Sequence, residues 1–135
     1  MSTQDRIYKL FQDGTLAKKT EMEICKILQL PYREKGRLID VLQQLCAQGK
    51  LYQNRSGRYG TIEQLGLIRG TISGNERGFA FLIPEDKQRY EKDFFIPHKS
   101  LHGALHGDTV LIERVFHVRG KGYGVLLVIP KGNDT

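Results

Sequence analysis

RGFAFLIPEDKQRYEKDFFIP, residues 77–97, decides how the second half of this chain folds. On a β-strand successive side chains point to opposite faces. Phe79 and Phe81 therefore share one face, and Gly78, Ala80 and Leu82 take the other. In the second run Phe94 lies with Ile96, and Phe95 points with Pro97. A small barrel must fill its interior, and Ala80, Leu82, Phe94 and Ile96 suffice for that. Phe79, Phe81 and Phe95 are left facing outward, an odd surface for a protein with no use for it. Nucleobases have flat π faces, and stacking one on an aromatic ring gains about 1 to 3 kcal/mol with little sequence preference. Arg69, Arg77, Lys92 and Lys99 flank the rings and can meet phosphates. The competing readings are that the barrel interior is the opposite face, or that the rings pack on the first half of the chain. Basic residues beside both aromatic runs favour the stacking surface.

From Leu65 onward, short apolar runs are separated by Gly, Pro, Asn and Asp. Strands are expected near 66–73, 78–83, 93–96, 108–116 and 123–129. Five such strands suggest a small closed or partly open barrel of the oligonucleotide-binding type. Before residue 50 the apolar spacing is helical. Ile7, Leu10 and Phe11 mark a first helix, entered after Ser2 or Thr3 and ended at Asp13-Gly14. Thr20 can cap a second helix with the inner stripe Ile24, Ile27 and Leu28, and Pro31 sits where a third can start. Leu38, Val41, Leu42, Leu45 and Cys46 give the third helix an i, i+3, i+4, i+7, i+8 stripe, which Gly49 stops. KLYQNRSGRYGTI then reads as strand, tight turn at Asn54 to Gly57, and strand. The expected fold is α+β in two domains: a three-helix winged helix-turn-helix over residues 1–64 and a five-stranded antiparallel barrel over 65–135.

The chain has 135 residues, 39% hydrophobic and 27% charged, which suits a folded globular protein and can fill two small cores. No apolar run approaches the roughly 20 residues of a membrane span, and MSTQDRIYKL lacks a signal-peptide core. A cytoplasmic protein without a membrane partner is expected. Cys25 and Cys46 fall at apolar-periodic positions and read as small buried hydrophobes in a reducing compartment. The formal charge of +6 favours polyanionic partners, because each phosphate neutralised releases condensed counterions.

Candidates for chemistry inside the chain are weak. Glu85, Asp86, Glu91 and Asp93 are close in sequence, but two-metal hydrolysis needs several acids converging on one pocket. They read as a solvated loop. His98, His102 and His106 have i, i+4, i+8 spacing, yet Gly103 and Gly107 argue against a regular helix there, so a turn-rich connection is expected rather than a metal site. GKGYG is followed by the strand-like VLLVIP where a phosphate-binding helix should begin, and it reads as the hairpin between the last two strands. Arg33, Lys35 and Arg37 lie around the start of the third helix, and Arg55 and Arg58 flank the wing turn, as in folds that sit on duplex DNA.

RGFAFL and DFFIPH resemble the two ribonucleoprotein-type motifs of cold-shock domains, usually of the form KGFGFI and DVFVHF. Arg77, Phe79, Phe81 and Phe95 correspond residue by residue. The motif's His falls on Pro97, and His98 takes the place of its last Phe. The Trp-Phe pair of the usual first strand is missing, since this stretch reads GTISGN, which implies a smaller platform. Together with the helical start and GRYG, the run GLIRGTISGNERGFAFLIPED, then DFFIP and LHGALHGDTVLI, resembles the amino-terminal region of bacterial ribonuclease R, in the ribonuclease II superfamily.

That resemblance implies a fragment of a magnesium-dependent enzyme that degrades RNA processively from the 3′ end. Its catalytic domain would lie outside this chain, so no catalytic residue, metal or cofactor is expected within residues 1–135. The expected function is a non-catalytic module that captures single-stranded or structured RNA through Phe79, Phe81, Phe95, Arg69, Arg77, Lys92, His98 and Lys99. A winged-helix DNA-binding regulator and a ribosome- or protein-docking module are the alternatives.

Overall fold

The computed structural model describes residues 1–117 and 120–130. The chain divides into two compact units, Met1–Leu65 and Gly66–Thr135. No helix among the described residues is long and apolar enough to cross a membrane.

The first unit is built from helices whose ends are written into the sequence. In α1 (Thr3–Gln12) the Ser2 hydroxyl accepts from the Asp5 amide, and Asp13 closes the helix before Gly14 turns to φ 92°. Helix α2 (Glu21–Ile27) opens on a reciprocal cap: Thr20 accepts from the Glu23 amide while Glu23 accepts from the Thr20 amide. The backbone bond to Thr20 is the chief reason the Glu23 carboxyl titrates below its ordinary value. Pro31 leads into a 3-10 turn over Tyr32–Glu34, and α3 (Lys35–Ala47) follows directly, later than the proline alone suggests. Strands β1 (Tyr52–Gln53) and β2 (Tyr59–Gly60) pair antiparallel across the Asn54 to Gly57 turn. A short helix α4 (Ile62–Leu65), foreseen by no pattern, ends the unit, and Gln64 donates to the Phe11 carbonyl at 2.6 Å.

Ile7, Phe11, Leu16, Ile24, Leu38, Leu42, Leu45, Leu51 and Tyr59 form the core of this unit. Two expectations need correcting here. Ile27 is 42% exposed, because the core meets only the arc of this seven-residue helix that runs from Ile24 to Leu28. Cys25 and Cys46 are half-buried at the core margin rather than enclosed, and burial pushes the Cys46 thiol upward. The Tyr59 hydroxyl donates to Glu21 at 3.0 Å. Burial first, and then that carboxylate, hold the phenol far above its usual range.

The second unit is a curled five-stranded antiparallel sheet, a half-barrel consistent with an oligonucleotide-binding fold. Its strands are β3 (Ile68–Gly74), β4 (Ala80–Pro84), β5 (Phe94–Ile96), β6 (Thr109–His117) and β7 (Gly120–Val128), in the order β5-β4-β3-β6-β7. The curl brings the two outer strands near each other, with the Phe94 and Tyr123 rings 4.8 Å apart. Ile68, Ile72, Ala80, Leu82, Ile96, Val110, Ile112 and Val125 fill the interior, and Phe94 packs against them. β3 and β4 approach closely at Gly70, where a Cβ would stand 2.3 Å from the Ile83 carbonyl oxygen. Contrary to expectation, GKGYG lies within β7 rather than in the hairpin turn, since β7 begins at Gly120. The turn itself falls outside the described residues.

Candidate nucleic-acid interface

Strict alternation along β4 produces the site. Ala80, Leu82 and Pro84 are buried, while Phe81 and Ile83 between them are exposed. Phe81 is the cross-strand partner of Phe95, as Leu82 is of Phe94, so the register places both outward rings side by side. Phe79 joins them from the loop before β4. In that loop Asn75 accepts from the Arg77 amide at 2.8 Å, the Gly78 amide donates to the Asn75 carbonyl, and Gly78 takes φ 94°. Glycine reaches that conformation without strain.

The three rings form one cluster, with centroids 5.9 Å apart for Phe79 and Phe81, 5.4 Å for Phe79 and Phe95, and 5.7 Å for Phe81 and Phe95. Phe95 is 51% exposed and Phe81 38%, while Phe79 is half-buried. The contacts of Phe81 with Phe79 and with Phe95 are edge-to-face and that of Phe79 with Phe95 is tilted, arrangements that order the rings yet leave faces free for a ligand. Ile83 extends the apolar stripe along β4.

The charged candidates divide into two groups. Arg77 projects from the Asn75 to Gly78 turn beside Phe79, and Lys92 and Lys99 are exposed on the segments that flank β5. Arg69 lies on the same sheet face as Phe81, because Ser73 is the partner of Phe81 and four residues separate Ser73 from Arg69. That puts it about 13 Å down the strand. It is committed there to Glu85 at 3.0 Å. His98 opens a 3-10 turn (His98–Ser100), and its Nδ1 sits 3.0 Å from the Gly78 carbonyl, so it buttresses the turn that presents Phe79.

The acidic loop is folded but does not gather into a metal site. Asp86 accepts from the Arg89 amide, Asp93 faces Lys87 at 3.9 Å, and Tyr90 packs on Phe94. Among the described residues no three His, Cys, Asp or Glu side chains converge where a metal ion could be held. His98 and His106 instead use their Nδ1 atoms on separate backbone groups.

In the first unit, Arg33 and Arg37 are exposed near the start of α3, and Lys35 is half-buried. Arg37 is 3.8 Å from Glu34. Arg58 turns away from the β1–β2 turn to the Lys18 carbonyl at 2.9 Å and to Glu23 at 3.2 Å, which leaves it tied down beside the α2 cap. Arg55 sits exposed at the turn itself. Sequence reasoning also passed over Phe116, which is 77% exposed with Lys121 about 6.0 Å from its ring. Its signal was an aromatic at the end of a long strand beside a run of cations.

Comparison with known proteins agrees with this geometry. Residues 70–126 match the family described as the ribonuclease B OB domain. Over 101 residues, 75% of this chain, the sequence is 34% identical to ribonuclease R of Acidithiobacillus ferrooxidans. The chain resembles the amino-terminal region of ribonuclease R, of the ribonuclease II superfamily. Ribonuclease R of Chlamydia trachomatis is 42% identical over 73 residues, 51% of this chain, and that of Vibrio cholerae 29% over 72 residues, 53% of it. These alignments cover 22%, 10% and 9% of the respective ribonuclease R sequences, so the chain spans about a fifth or less of the length of these relatives.

Proposed function

We propose that this chain is a non-catalytic RNA-binding module of a ribonuclease R-like 3′-to-5′ exoribonuclease acting in the cytoplasm. It captures a single strand, or the unpaired end of a structured RNA, for a magnesium-dependent catalytic domain. The observation that carries this reading is the three-ring cluster of Phe79, Phe81 and Phe95, in which Phe81 and Phe95 are exposed. Bases lie against these faces, and Arg77, Lys92 and Lys99 take the phosphates. Such binding is tolerant of sequence and weakens with salt. Arg69, paired with Glu85, adds less. The five-stranded unit corresponds to a cold-shock-type domain in this reading.

We read the first unit as a winged helix, supported by three helices followed by a two-stranded antiparallel sheet with a tight turn. Its basic residues offer a second contact with nucleic acid through Arg33, Lys35, Arg37 and Arg55. Arg58, held by Lys18 and Glu23, leaves a thinner wing for duplex DNA than the sequence suggested. One observation favours docking of a protein or a ribosomal surface instead: an apolar groove of about 400 Å³ lined by Ile7, Leu10, Leu28, Leu38 and Val41.

A competition titration separates these readings. The purified chain is offered single-stranded RNA, duplex RNA and duplex DNA at two salt concentrations. The RNA-module reading expects single-stranded RNA to win, with an affinity that falls as salt rises. Preference for a DNA duplex would point to a regulator, and failure to bind any nucleic acid would point to protein docking.

A further inference from the structure

Along β6, pairing with β3 ends at Ile112, and residues 113–117 pair only with 120–124 of β7. The register sets Arg114 opposite Tyr123 and Phe116 opposite Lys121. Counted by twos along their strands, these four residues share the face on which Ile112 and Val125 line the interior. The two-stranded ribbon thus carries the inner face of the sheet out into solvent.

At its root the ribbon meets a ladder of rings. Tyr90 lies 5.5 Å from Phe94, and Phe94 lies 4.8 Å from Tyr123. All three pack against the core, which accounts for their presence. A guanidinium is seated at each end of the ladder. Arg89 is 5.4 Å from the Tyr90 ring, and Arg114 is 5.9 Å from that of Tyr123, to whose hydroxyl it donates at 3.4 Å. Two residues further out stand Phe116 and Lys121, both exposed. The fold gives no account of Phe116, which at 77% exposure forgoes the gain of burial. Nor are its cationic neighbours neutralised. Among the described residues Arg37, Arg58, Arg69 and Lys87 each face a carboxylate, whereas Arg89, Arg114 and Lys121 form no ion pair.

We propose that this ribbon face is a second contact for single-stranded RNA, with one base stacked on Phe116 and the neighbouring phosphates held by Arg114 and Lys121. Arg114 sits about 7 Å back along β6 from Phe116, and Lys121 lies across from it on β7. Unneutralised cations around a bare ring suit a ligand that alternates anionic groups with flat π faces. An acidic peptide would supply only the anions. Phe94 belongs to the ladder and Phe95, its neighbour in the chain, to the outer ring cluster, so the two surfaces lie on opposite faces of β5. A short RNA occupies one of them, and a longer one reaches both. The inference takes its class of ligand from the RNA-module reading but does not depend on the ring cluster.

The test uses the whole chain and fluorescence anisotropy with labelled oligouridylates of about 4 and about 12 nucleotides, the range of lengths that one such fold accommodates. Phe116→Ala should weaken the longer RNA at least about fivefold and leave the shorter one, bound on the ring cluster, within about twofold. Lys121→Ala should lower the salt slope for the longer RNA by about one. Both side chains are exposed, so both variants should melt with the parent. A longer strand of abasic ribose-phosphate isolates the stacked base: Phe116→Ala should not change its affinity, whereas Lys121→Ala should. If neither substitution alters binding of the longer oligouridylate, the ribbon contact is overturned while the ring cluster stands. If Phe116→Ala weakens the abasic strand as much as oligouridylate, no base lies on the ring and the proposal likewise fails. Loss of binding in the Phe116 variant alone, with the Phe81→Ala, Phe95→Ala double variant unaffected, would uphold the ribbon and remove the ring cluster.

Discussion

The two units use their polar and aromatic groups in opposite ways. In Met1–Leu65 the informative side chains are satisfied within the unit: Tyr59 is buried against Glu21, Arg58 is fixed by the Lys18 carbonyl and Glu23, and Thr20 and Glu23 close a helix end on themselves. In Gly66–Thr135 a similar number of apolar side chains fills the barrel, yet Phe81, Phe95 and Ile83 remain on the outer face. Burying a ring stabilises a fold by a few kcal/mol, so leaving two of them together at the surface forgoes that gain. The contrast separates groups that hold a fold together from groups available to a ligand.

Substitutions can break this contrast, and the largest effect is expected at Gly70. Gly70→Ala sets a methyl group 2.3 Å from the Ile83 carbonyl oxygen, between two paired strands that cannot separate without losing their ladder. The five-stranded unit should lose at least about 3 kcal/mol, read as a lower denaturation midpoint for its resonances. Tyr59→Phe should cost the first unit about 1.5 kcal/mol at neutral pH by removing a bond to a carboxylate. Its pH dependence sharpens the point. The folded-state phenol is raised, so its contribution is complete below the unfolded value near 10 and is lost as pH climbs above that. Parent stability should fall there more steeply than that of the phenylalanine variant in alkaline denaturation curves. Thr20→Ala removes one half of the α2 cap and should cost about 1 kcal/mol by chemical denaturation. The smallest effects compare two arginines. Arg77→Ala should weaken RNA binding a few-fold and lower the salt slope by about one, whereas Arg69→Ala, already neutralised by Glu85, should change the slope much less.

The helices and strands were legible because their signals are local. Ser2, Thr20 and the Asp13-Gly14 stop mark helix ends, and the 38–46 stripe marks α3. The AFLIP alternation fixed which phenylalanines could face out, and strand register then paired Phe81 with Phe95. What escaped was set by contacts distant in sequence. Arg69 and Arg58 looked available until the fold brought Glu85 to one and the Lys18 carbonyl to the other, across separations of 16 and 40 residues. Ile27 obeyed the helical period but lies beyond the arc that the core covers. The placement of GKGYG inside β7 follows from the regular pairing of Gly120–Gly124 with Glu113–His117 of a long β6, which composition does not encode. The bonds that His98 and His106 make through Nδ1 depend on loop carbonyl and amide positions, which no spacing rule supplies.

The central claim is that the outward rings serve a ligand and not the fold. It is tested most directly by the Phe81→Ala, Phe95→Ala double variant, compared with the parent for melting temperature and for affinity to single-stranded RNA in the same buffer. The account predicts a melting temperature within a few degrees of the parent and at least about a tenfold loss of affinity. A variant that unfolds, or one that stays folded and binds RNA as tightly as the parent, would contradict it.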